Sequence, residues 1–303
     1  MNMNMNIDID EIRSYSGRIA IIGHGCADFD AMTSGCLLKY VFGALGINSY
    51  FTLPDGKIDE YFIAKASELG YKYIRHYGLS VESAVFLVDH TADYPNEVIG
   101  CIDHHPAIVE ISRNYTNQPQ TCCAKIIYDW ACEMGILIPA PLTKLVVYAC
   151  HMDSLSFKST KALPEDRVWC REMIQKFGMD EQEVINFGYG ITDRNQDYDT
   201  YLQTGLKSYD LGNGKVLKAS YAVAVDDEDD LEKAAEHFRT KLDDKTIAWC
   251  YLIQNPADDK TKVLLVTDKE HFIQSVDKVL SRGKDVIPAA MKFLNETWVK
   301  DHN

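Results

Sequence analysis

Four short clusters of aspartate and histidine in this 303-residue chain have the residue types of a metal site. Each cluster follows a stretch with the pattern of a buried strand or helix, at a point where the chain leaves the core. If these exits converge on one cleft, the carboxylates would repel one another and would be costly to desolvate unless a cation neutralised them. The pattern therefore predicts a site for divalent metal. The clusters are His24-Gly-Cys-Ala-Asp28-Phe-Asp30, Val88-Asp89-His90, Asp103-His104-His105 and His151-Met-Asp153.

The mixture of imidazole and carboxylate groups suits Mn²⁺ or Co²⁺ better than Ca²⁺, and the cysteines lack the spacing of structural zinc sites. Asp28 and Asp30 flank Phe29, so their side chains can reach two different ions. Two hard cations about 3.5 to 4 Å apart are the arrangement used for in-line attack on phosphorus. Each residue alone has an ordinary alternative, and Asp30 could be only a helix N-cap.

Strand-like apolar runs alternate with helical patterns through about residue 190, which predicts an α/β fold with a parallel sheet wrapped by helices. In such sheets ligands bind beyond the carboxyl ends of the strands. The predicted strands are 18–23, 49–53, 71–77, 84–88 and 98–102. A helix is predicted from about 31 to 45, and others over 122–135, 141–151, 164–177 and 180–187.

A polar stretch without apolar periodicity, residues 191–200, predicts a linker between a domain of residues 1–190 and a smaller α/β domain of residues 201–303. A hinge at the linker would let a cleft close on a substrate. Residues 1–10 are predicted to be a disordered leader. In the second domain the predicted strands are 215–225, 247–253 and 262–267, and the predicted helices are 229–242, 269–280 and 288–298.

The clusters resemble, in order, the four motifs of the DHH phosphoesterase superfamily. The last of them, Asp153-Ser-Leu-Ser-Phe157-Lys158-Ser159, is most similar to that of the manganese-dependent (family II) inorganic pyrophosphatases. Near the C-terminus, Ser281-Arg282-Gly283-Lys284-Asp285-Val-Ile-Pro288 resembles a run in the second domain of those enzymes and of exopolyphosphatases. The motifs span residues 24–288, so the resemblance covers nearly the whole chain.

The resemblance implies a role for each matched position. Two divalent ions, Mn²⁺ or Co²⁺, are expected, and Mg²⁺ could accompany the substrate. The ligands of one ion would be His24, Asp28 and Asp89, and those of the other Asp30, Asp89, His104 and Asp153. Catalytic roles fall to His105, as phosphate contact or proton donor, and to Asp103, as an acceptor that orients a ligand histidine. Lys207 and Arg282 match the basic groups that hold phosphate. His90 and His151, which only flank the motifs, are expected to be structural or to lie just outside the ligand set.

Two departures from the family pattern fall on the substrate side. Cys26-Ala27 stands where the family has Asn-Pro, and Gly283 stands where it has a second basic residue. Losing that cation weakens the electrostatic clamp on pyrophosphate, so either Lys284 substitutes or the natural substrate carries less charge. Lys158 and Lys161 could add positive charge from the first domain.

The resemblance implies a hydrolase of phosphoric anhydrides, first an inorganic pyrophosphatase in which a metal-bridging hydroxide attacks one phosphorus. Exopolyphosphatase is an alternative, as is a phosphodiesterase acting on short oligonucleotides or cyclic nucleotides. The phosphodiesterase branch has a Gly-Gly-Gly-His run, where this chain has only Gly212-Asn-Gly214. A non-catalytic phosphate- or nucleotide-sensing module is a fourth reading, which a missing ligand would favour; all six expected ligands are present.

Length and composition agree with a soluble enzyme, and the chain is long enough for two domains with a core each. A formal net charge of −14 disfavours nucleic acid as a general partner, although local cations can still bind a small phosphate. Nine scattered cysteines do not form the pattern of a disulfide framework and favour the reducing cytoplasm. Neither a membrane span nor a signal peptide is predicted. An edge strand could pair two copies, so a homodimer stays open.

Overall fold

The computed structural model describes residues 7–25, 27–54, 60–74, 78–80, 83–105, 120–189, 198–203, 205–212, 214–223, 231–256 and 258–297. The chain divides into two units. The first comprises Met1–Phe157 and Ala162–Gly188, and the second comprises Lys158–Lys161 and Tyr189–Asn303. Each unit has its own sheet and its own buried core.

The first unit contains a sheet of four parallel strands. They are β1 (Ile19–Ile22), β2 (Ser49–Thr52), β3 (Ala84–Val88) and β4 (Val98–Ile102), in the order β2-β1-β3-β4. Ile19 pairs with both Ser49 and Ala84, so the three strands start level. Because the strands are parallel, the residues that follow β1, β3 and β4 emerge at one edge of the sheet.

Seven helices of the first unit are described: α1 (Ile9–Ser14), α2 (Phe29–Ala44), α3 (Glu60–Glu68), α4 (Cys123–Glu133), α5 (Ala140–Ser154), α6 (Pro164–Phe177) and α7 (Glu181–Tyr189). α2 packs against α4 and α5 over one face of the sheet, where Ile21, Phe86 and Ile102 join them in the core. α2 is apolar on nearly all sides, which suits a helix at the centre of the core.

The second unit is built on a mixed sheet in which β6 and β7 are parallel and the other neighbours are antiparallel. Its strands, in spatial order, are β5 (Lys207–Gly212), β6 (Lys215–Val223), β7 (Thr246–Asn255), β8 (Lys260–Thr267) and β9 (His271–Val276). The helices are α8 (Tyr198–Gln203), α9 (Leu231–Arg239) and α10 (Ile287–Thr297), the last preceded by a π-helix, Arg282–Val286. α9 covers one face of the sheet and α10 the other.

The predicted α/β architecture with a parallel N-terminal sheet is confirmed, and four of the five strands predicted there are present. The exception is 71–77. The Tyr71 N–H donates to the Ala66 carbonyl (2.8 Å) and so closes the end of α3, and residues 71–74 form no strand. Residues 75–77 lie outside the described part of the chain.

The helix predicted over residues 269–280 is wrong, because β9 occupies its centre. A tight turn, in which the Thr267 N–H donates to the Glu270 carbonyl (2.9 Å), sends the chain back along β8. Ile273 then pairs with Leu264. Cross-strand pairing overrides local preference here. β5 was missed because its sequence is largely polar and its side chains are mostly exposed.

The structure also changes several predicted boundaries. Asp8 caps α1, so the predicted disorder of the leader does not hold for residues 8–10, and residues 1–6 are outside the description. α2 begins at Phe29 and not near residue 31. α8 takes up residues 198–200 of the predicted linker, whose other residues are not described.

The short segment Lys158–Lys161 belongs to the second unit, although the sequence places it in the first domain. Lys158 Nζ lies 2.9 Å from Asp259 Oδ1, and Thr160 Oγ1 donates to Asp285 Oδ2 (2.6 Å). These contacts attach the segment to the turns around β8 and the π-helix. Lys158 is thereby neutralised by an aspartate of its own unit.

In the described part of the chain, no helix has the length and apolar character needed to cross a membrane. The eight cysteines described there are all free thiols.

Gly35 allows close contact between α2 and β2. A Cβ at this position would lie 2.2 Å from the Phe51 ring. We expect Gly35→Ala to lower the free energy of unfolding by about 1–3 kcal/mol, the usual cost of overpacking a core, in urea denaturation. Gly43→Ala in the same helix is the matched control, since nothing lies within 4 Å of its Cβ. Equal stability of the two variants would contradict the close packing.

Candidate metal centre

The carboxyl-terminal edge of the parallel sheet gathers all six predicted metal ligands. Asp89 follows β3 directly, and His24 and His104 each stand two residues beyond a strand. Asp28 and Asp30 lie at the start of α2, and Asp153 lies in the last turn of α5. The ligand atoms form groups whose members lie within 4.8 Å of one another: His24, Asp28 and Asp89; Asp30, His104 and Asp153; and Asp89, His104 and His105.

Asp89 is shared between the groups through its two carboxylate oxygens. Its Oδ2 lies 3.6 Å from His24 Nε2, which is also 3.6 Å from Asp28 Oδ2. Its Oδ1 lies 3.3 Å from His104 Nε2, which is 3.5 Å from Asp153 Oδ2. Two ligands that are each about 2.1 Å from one ion at a tetrahedral angle are about 3.4 Å apart, so the spacing fits shared ions.

The position of Asp89 is energetically unfavourable in two respects. Its φ is 63°, in the left-handed region that Asp and Asn tolerate better than most residues. The side chain is buried, and Oδ1 has no hydrogen-bond donor among the described residues. A buried anionic oxygen without a donor is strongly destabilising, whereas a cation between the two groups would satisfy it. The residues present therefore fit divalent metal.

Asp30 is held mainly by two backbone donors from outside its own helix. The Cys123 N–H donates to Asp30 Oδ2 (2.7 Å) and the Ala124 N–H to Oδ1 (2.9 Å), and the Ser34 hydroxyl adds a third donor at 3.3 Å. The carboxylate thus sits at the N-terminus of α4, where the helix dipole favours negative charge. The N-cap of α2 is Asp28, which accepts from the Ala31 N–H. Asp30 as the N-cap of α2 is therefore ruled out.

The electrostatics of the cluster show strong competition for protons. Burial lowers the pKa of His24, but Asp28 and Asp89 outweigh it and raise that pKa to about 11. Burial, Asp89 and Asp153 raise the pKa of Asp30 well above its ordinary value. Burial acts in the same direction on Asp89, but the neighbouring His104 and His24 hold the pKa of Asp89 well below its ordinary value. A divalent ion must therefore displace protons when it binds.

Asp103 orients His105, the residue next to the expected ligand His104. Asp103 Oδ1 accepts from the His105 backbone N–H (3.0 Å) and from its ring Nδ1 (2.9 Å). His104 is instead oriented through Nδ1 by the Gln120 carbonyl (3.0 Å). Because Nδ1 of His105 is engaged, the nitrogen of this half-exposed ring that can face a substrate is Nε2.

His90 and His151, the two histidines that flank the ligand clusters, each lie within hydrogen-bonding distance of a neighbouring protein group. His90 Nδ1 lies 3.0 Å from the Val88 carbonyl, and His151 Nδ1 lies 3.1 Å from Ser156 Oγ. Burial, with a smaller contribution from Arg167, lowers the pKa of His151 to about 4, so this ring is neutral near pH 7.

The lysines and the arginine that are predicted to bind phosphate all lie in the second unit. Arg282 begins the π-helix, donates to the Gly205 carbonyl and stacks over the Tyr221 ring at 5.1 Å. Lys207, two residues beyond Gly205, is exposed on β5. Lys284 Nζ points to the Thr160 carbonyl (3.4 Å). A Cβ at Gly283 would meet nothing within 4 Å. Cys26 lies outside the described residues.

Sequence reasoning missed the support that α4 gives to Asp30, since Cys122-Cys123 carries no recognisable capping signal. It also missed the pairing of Asp103 with His105. An aspartate two residues before a histidine is a local hydrogen-bonding pattern that could have suggested it.

A family match shows which known domains the part of the chain around this site is similar to. Residues 18–150 match the DHH family, N-terminal domain. The matched stretch contains five of the six candidate ligands and the Asp103-His104-His105 run itself. Residues 18–150 therefore match a DHH family N-terminal domain, and the predicted resemblance to the DHH phosphoesterase superfamily is confirmed.

Particular relatives match over most of the chain. It is 24% identical over 302 residues to the probable manganese-dependent inorganic pyrophosphatase of Lactobacillus helveticus, covering 88% of this chain and 96% of the relative. It is 25% identical over 299 residues to the protein of the same name from Shouchella clausii, covering 88% and 95%. The crystal structure of a candidate family II inorganic pyrophosphatase from Methanococcus jannaschii has the same fold, with a TM-score of 0.74 at 19% identity over 91% of this chain and 99% of that one.

Asp89→Asn tests the shared ligand. Asn keeps the side-chain volume and tolerates the left-handed backbone, so the change removes little besides charge. We expect metal titration by calorimetry to show that at least one of two Mn²⁺ ions binds more than about 100-fold more weakly, since even residues that only orient ligands cost 10- to 100-fold. Asp93→Asn, at an exposed residue four positions further on, is the control. Unchanged binding of two ions by Asp89→Asn would rule out the shared role.

Proposed function

We propose that this chain is a metal-dependent hydrolase of phosphoric anhydrides that splits inorganic pyrophosphate into two phosphates. The observation that carries the proposal is the pair of ligand groups that meet at Asp89. It is supported by relatives that are named probable manganese-dependent inorganic pyrophosphatase and that this chain matches along most of their length.

The two groups are proposed to hold two divalent ions, Mn²⁺ or Co²⁺. Such a pair, when bound, lowers the pKa of a water molecule and stabilises charge on phosphoryl oxygens. Asp89 links the two sites, because each of its oxygens faces a different histidine. The backbone N–H groups at the start of α4 hold the Asp30 carboxylate in one orientation. The protein thus presents ligands that are already oriented.

His105 is proposed to act on the phosphate. Asp103 keeps a proton on its Nδ1, so any proton that His105 gives to a phosphate oxygen leaves from Nε2. The same nitrogen could instead donate a hydrogen bond that holds the phosphate in place. Both roles need the orientation that Asp103 supplies.

On the second unit, Arg282 and Lys207 are proposed to bind phosphate. Arg282 is held by Gly205 and Tyr221, which reduces the rotamer entropy that it would lose on binding. Lys284 is a weaker candidate than expected, because its ammonium group faces Thr160. The lack of a second cation at Gly283 keeps short-chain polyphosphate as a second candidate substrate. The free thiols support a cytoplasmic location.

The choice of substrate can be measured as phosphate release with Mn²⁺ from pyrophosphate, tripolyphosphate, long-chain polyphosphate, cyclic nucleotides and dinucleotides. We expect the highest kcat/KM for pyrophosphate, lowered more than about 100-fold by Asp89→Asn as charge stabilisation is lost. Preference for a cyclic nucleotide or dinucleotide would replace the proposal by a phosphodiesterase. Metal binding without turnover of any substrate would indicate a sensing module.

Gly283→Lys tests whether a missing cation limits pyrophosphate binding. A Cβ at this position would meet no atom within 4 Å. We expect KM for pyrophosphate to fall about two- to fivefold, since a solvent-exposed charge pair is worth up to about 1 kcal/mol. Gly283→Ala makes the same change of backbone without the charge and should leave KM unchanged. If the two variants have the same KM, the cation is not limiting.

A further inference from the structure

Three consecutive residues after α5 have a left-handed backbone. Leu155, Ser156 and Phe157 have φ values of 50°, 51° and 64°, and none of them is glycine. Side chains with a Cβ disfavour this region, and runs of it are rare. Such backbone persists only where the surroundings impose it, and it is concentrated at functional sites. Asp153 lies two residues before the run.

The run is tied back to the last turn of α5. The Ser156 N–H donates to the His151 carbonyl (2.7 Å), and the Phe157 N–H donates to the Ser154 hydroxyl (2.9 Å). The Ser154 hydroxyl in turn donates to the Cys150 carbonyl. Residues on both sides of Asp153 are therefore fixed to one another.

A second set of contacts joins the run to α7. The Ser156 hydroxyl donates to the Ile185 carbonyl (2.7 Å), and His151 Nδ1 lies 3.1 Å from the same hydroxyl oxygen. The Ser156 hydroxyl has only one proton, and it donates that proton in the hydrogen bond to the Ile185 carbonyl. His151 Nδ1 must therefore be the donor to Ser156 Oγ. His151, Ser156 and Ile185 thus form a directed chain of hydrogen bonds.

Gly188 lets α7 approach closely enough for these bonds to form. A Cβ there would lie 2.4 Å from Ser156 Oγ, 2.6 Å from His151 Cβ and 2.9 Å from the His151 carbonyl carbon. The third contact is with backbone, which cannot rotate away. Any side chain at this position would push α7 and the end of α5 apart.

We propose that His151, Ser156 and Gly188, called here the α5 lock, are positioning residues for the metal ligand Asp153. None of the three is a candidate ligand. His104 and Asp89 stand at strand ends, whereas Asp153 reaches the cluster from a helix end, and its Oδ2 lies 3.5 Å from His104 Nε2. The α5 lock sets where that helix end stands. The inference rests on the proposed function in one respect, that Asp30, His104 and Asp153 hold a metal ion.

Gly188→Ala tests the lock through metal binding. We expect calorimetry and Mn²⁺ electron paramagnetic resonance to show one of two Mn²⁺ ions bound about 10- to 100-fold more weakly, as when a group that orients a ligand is lost. The ion bound by His24, Asp28 and Asp89 should keep its affinity. Gly43→Ala is the matched glycine control and should bind both ions as the unmodified chain does.

Ser156→Ala is the second variant, in case the clash at Gly188→Ala prevents folding. It removes the hydroxyl at the centre of the hydrogen-bond chain without adding an atom, and we expect the same ion to be weakened by a smaller factor. Circular dichroism of each metal-free variant checks that it is folded. Binding of both ions with unchanged affinity by the folded variants would overturn the proposal.

The outcomes separate the lock from the proposed function. If the unmodified chain binds two ions and the variants lose one, the lock holds even if no phosphoric anhydride is hydrolysed, and only the proposed function fails. If the chain hydrolyses pyrophosphate and the variants keep both ions, the lock fails alone. If the unmodified chain binds fewer than two ions, both fail.

Discussion

The carboxylates buried at the edge of the parallel sheet repel one another, and the first unit must compensate this repulsion in order to fold. Asp30 and Asp89 are each only 2% exposed, and Asp28 and Asp153 stand beside them. No chain can bury such a cluster without compensation. Here the compensation comes from two histidines, from the N-terminus of α4 and, we propose, from divalent ions. The parallel sheet provides the one edge at which these groups can meet.

Much of this arrangement was predictable from sequence, for a physical reason. The strands β1, β3 and β4 are short, continuous apolar runs, and a polar cluster directly after such a run must lie at a strand end. Parallel strands bring their ends together, so His24, Asp89 and His104 could be grouped before any coordinates were known. The prediction therefore rested on where each polar cluster stands relative to the apolar run before it.

The parts that sequence could not supply depend on contacts between distant segments. Nothing local shows that Asp30 meets α4, because Cys123, which donates to it, lies 93 positions further along the chain. The segment 269–280 suits a helix in isolation, and pairing with β8 makes its centre a strand. Likewise the left-handed run after Asp153 depends on α7, which lies further along the chain. Tertiary packing decides each of these cases.

The donors that α4 offers to Asp30 have a consequence for how the protein handles metal. Cys123 and Ala124 of α4, together with Ser34 of α2, keep this carboxylate in place with bonds from the polypeptide alone. A zinc finger, by contrast, loses its structure when the ion leaves. The proposed metal site, with this ligand held by the polypeptide, would be able to exchange one cation for another while the domain stays folded. Its ionic content would then follow the supply of metals around it.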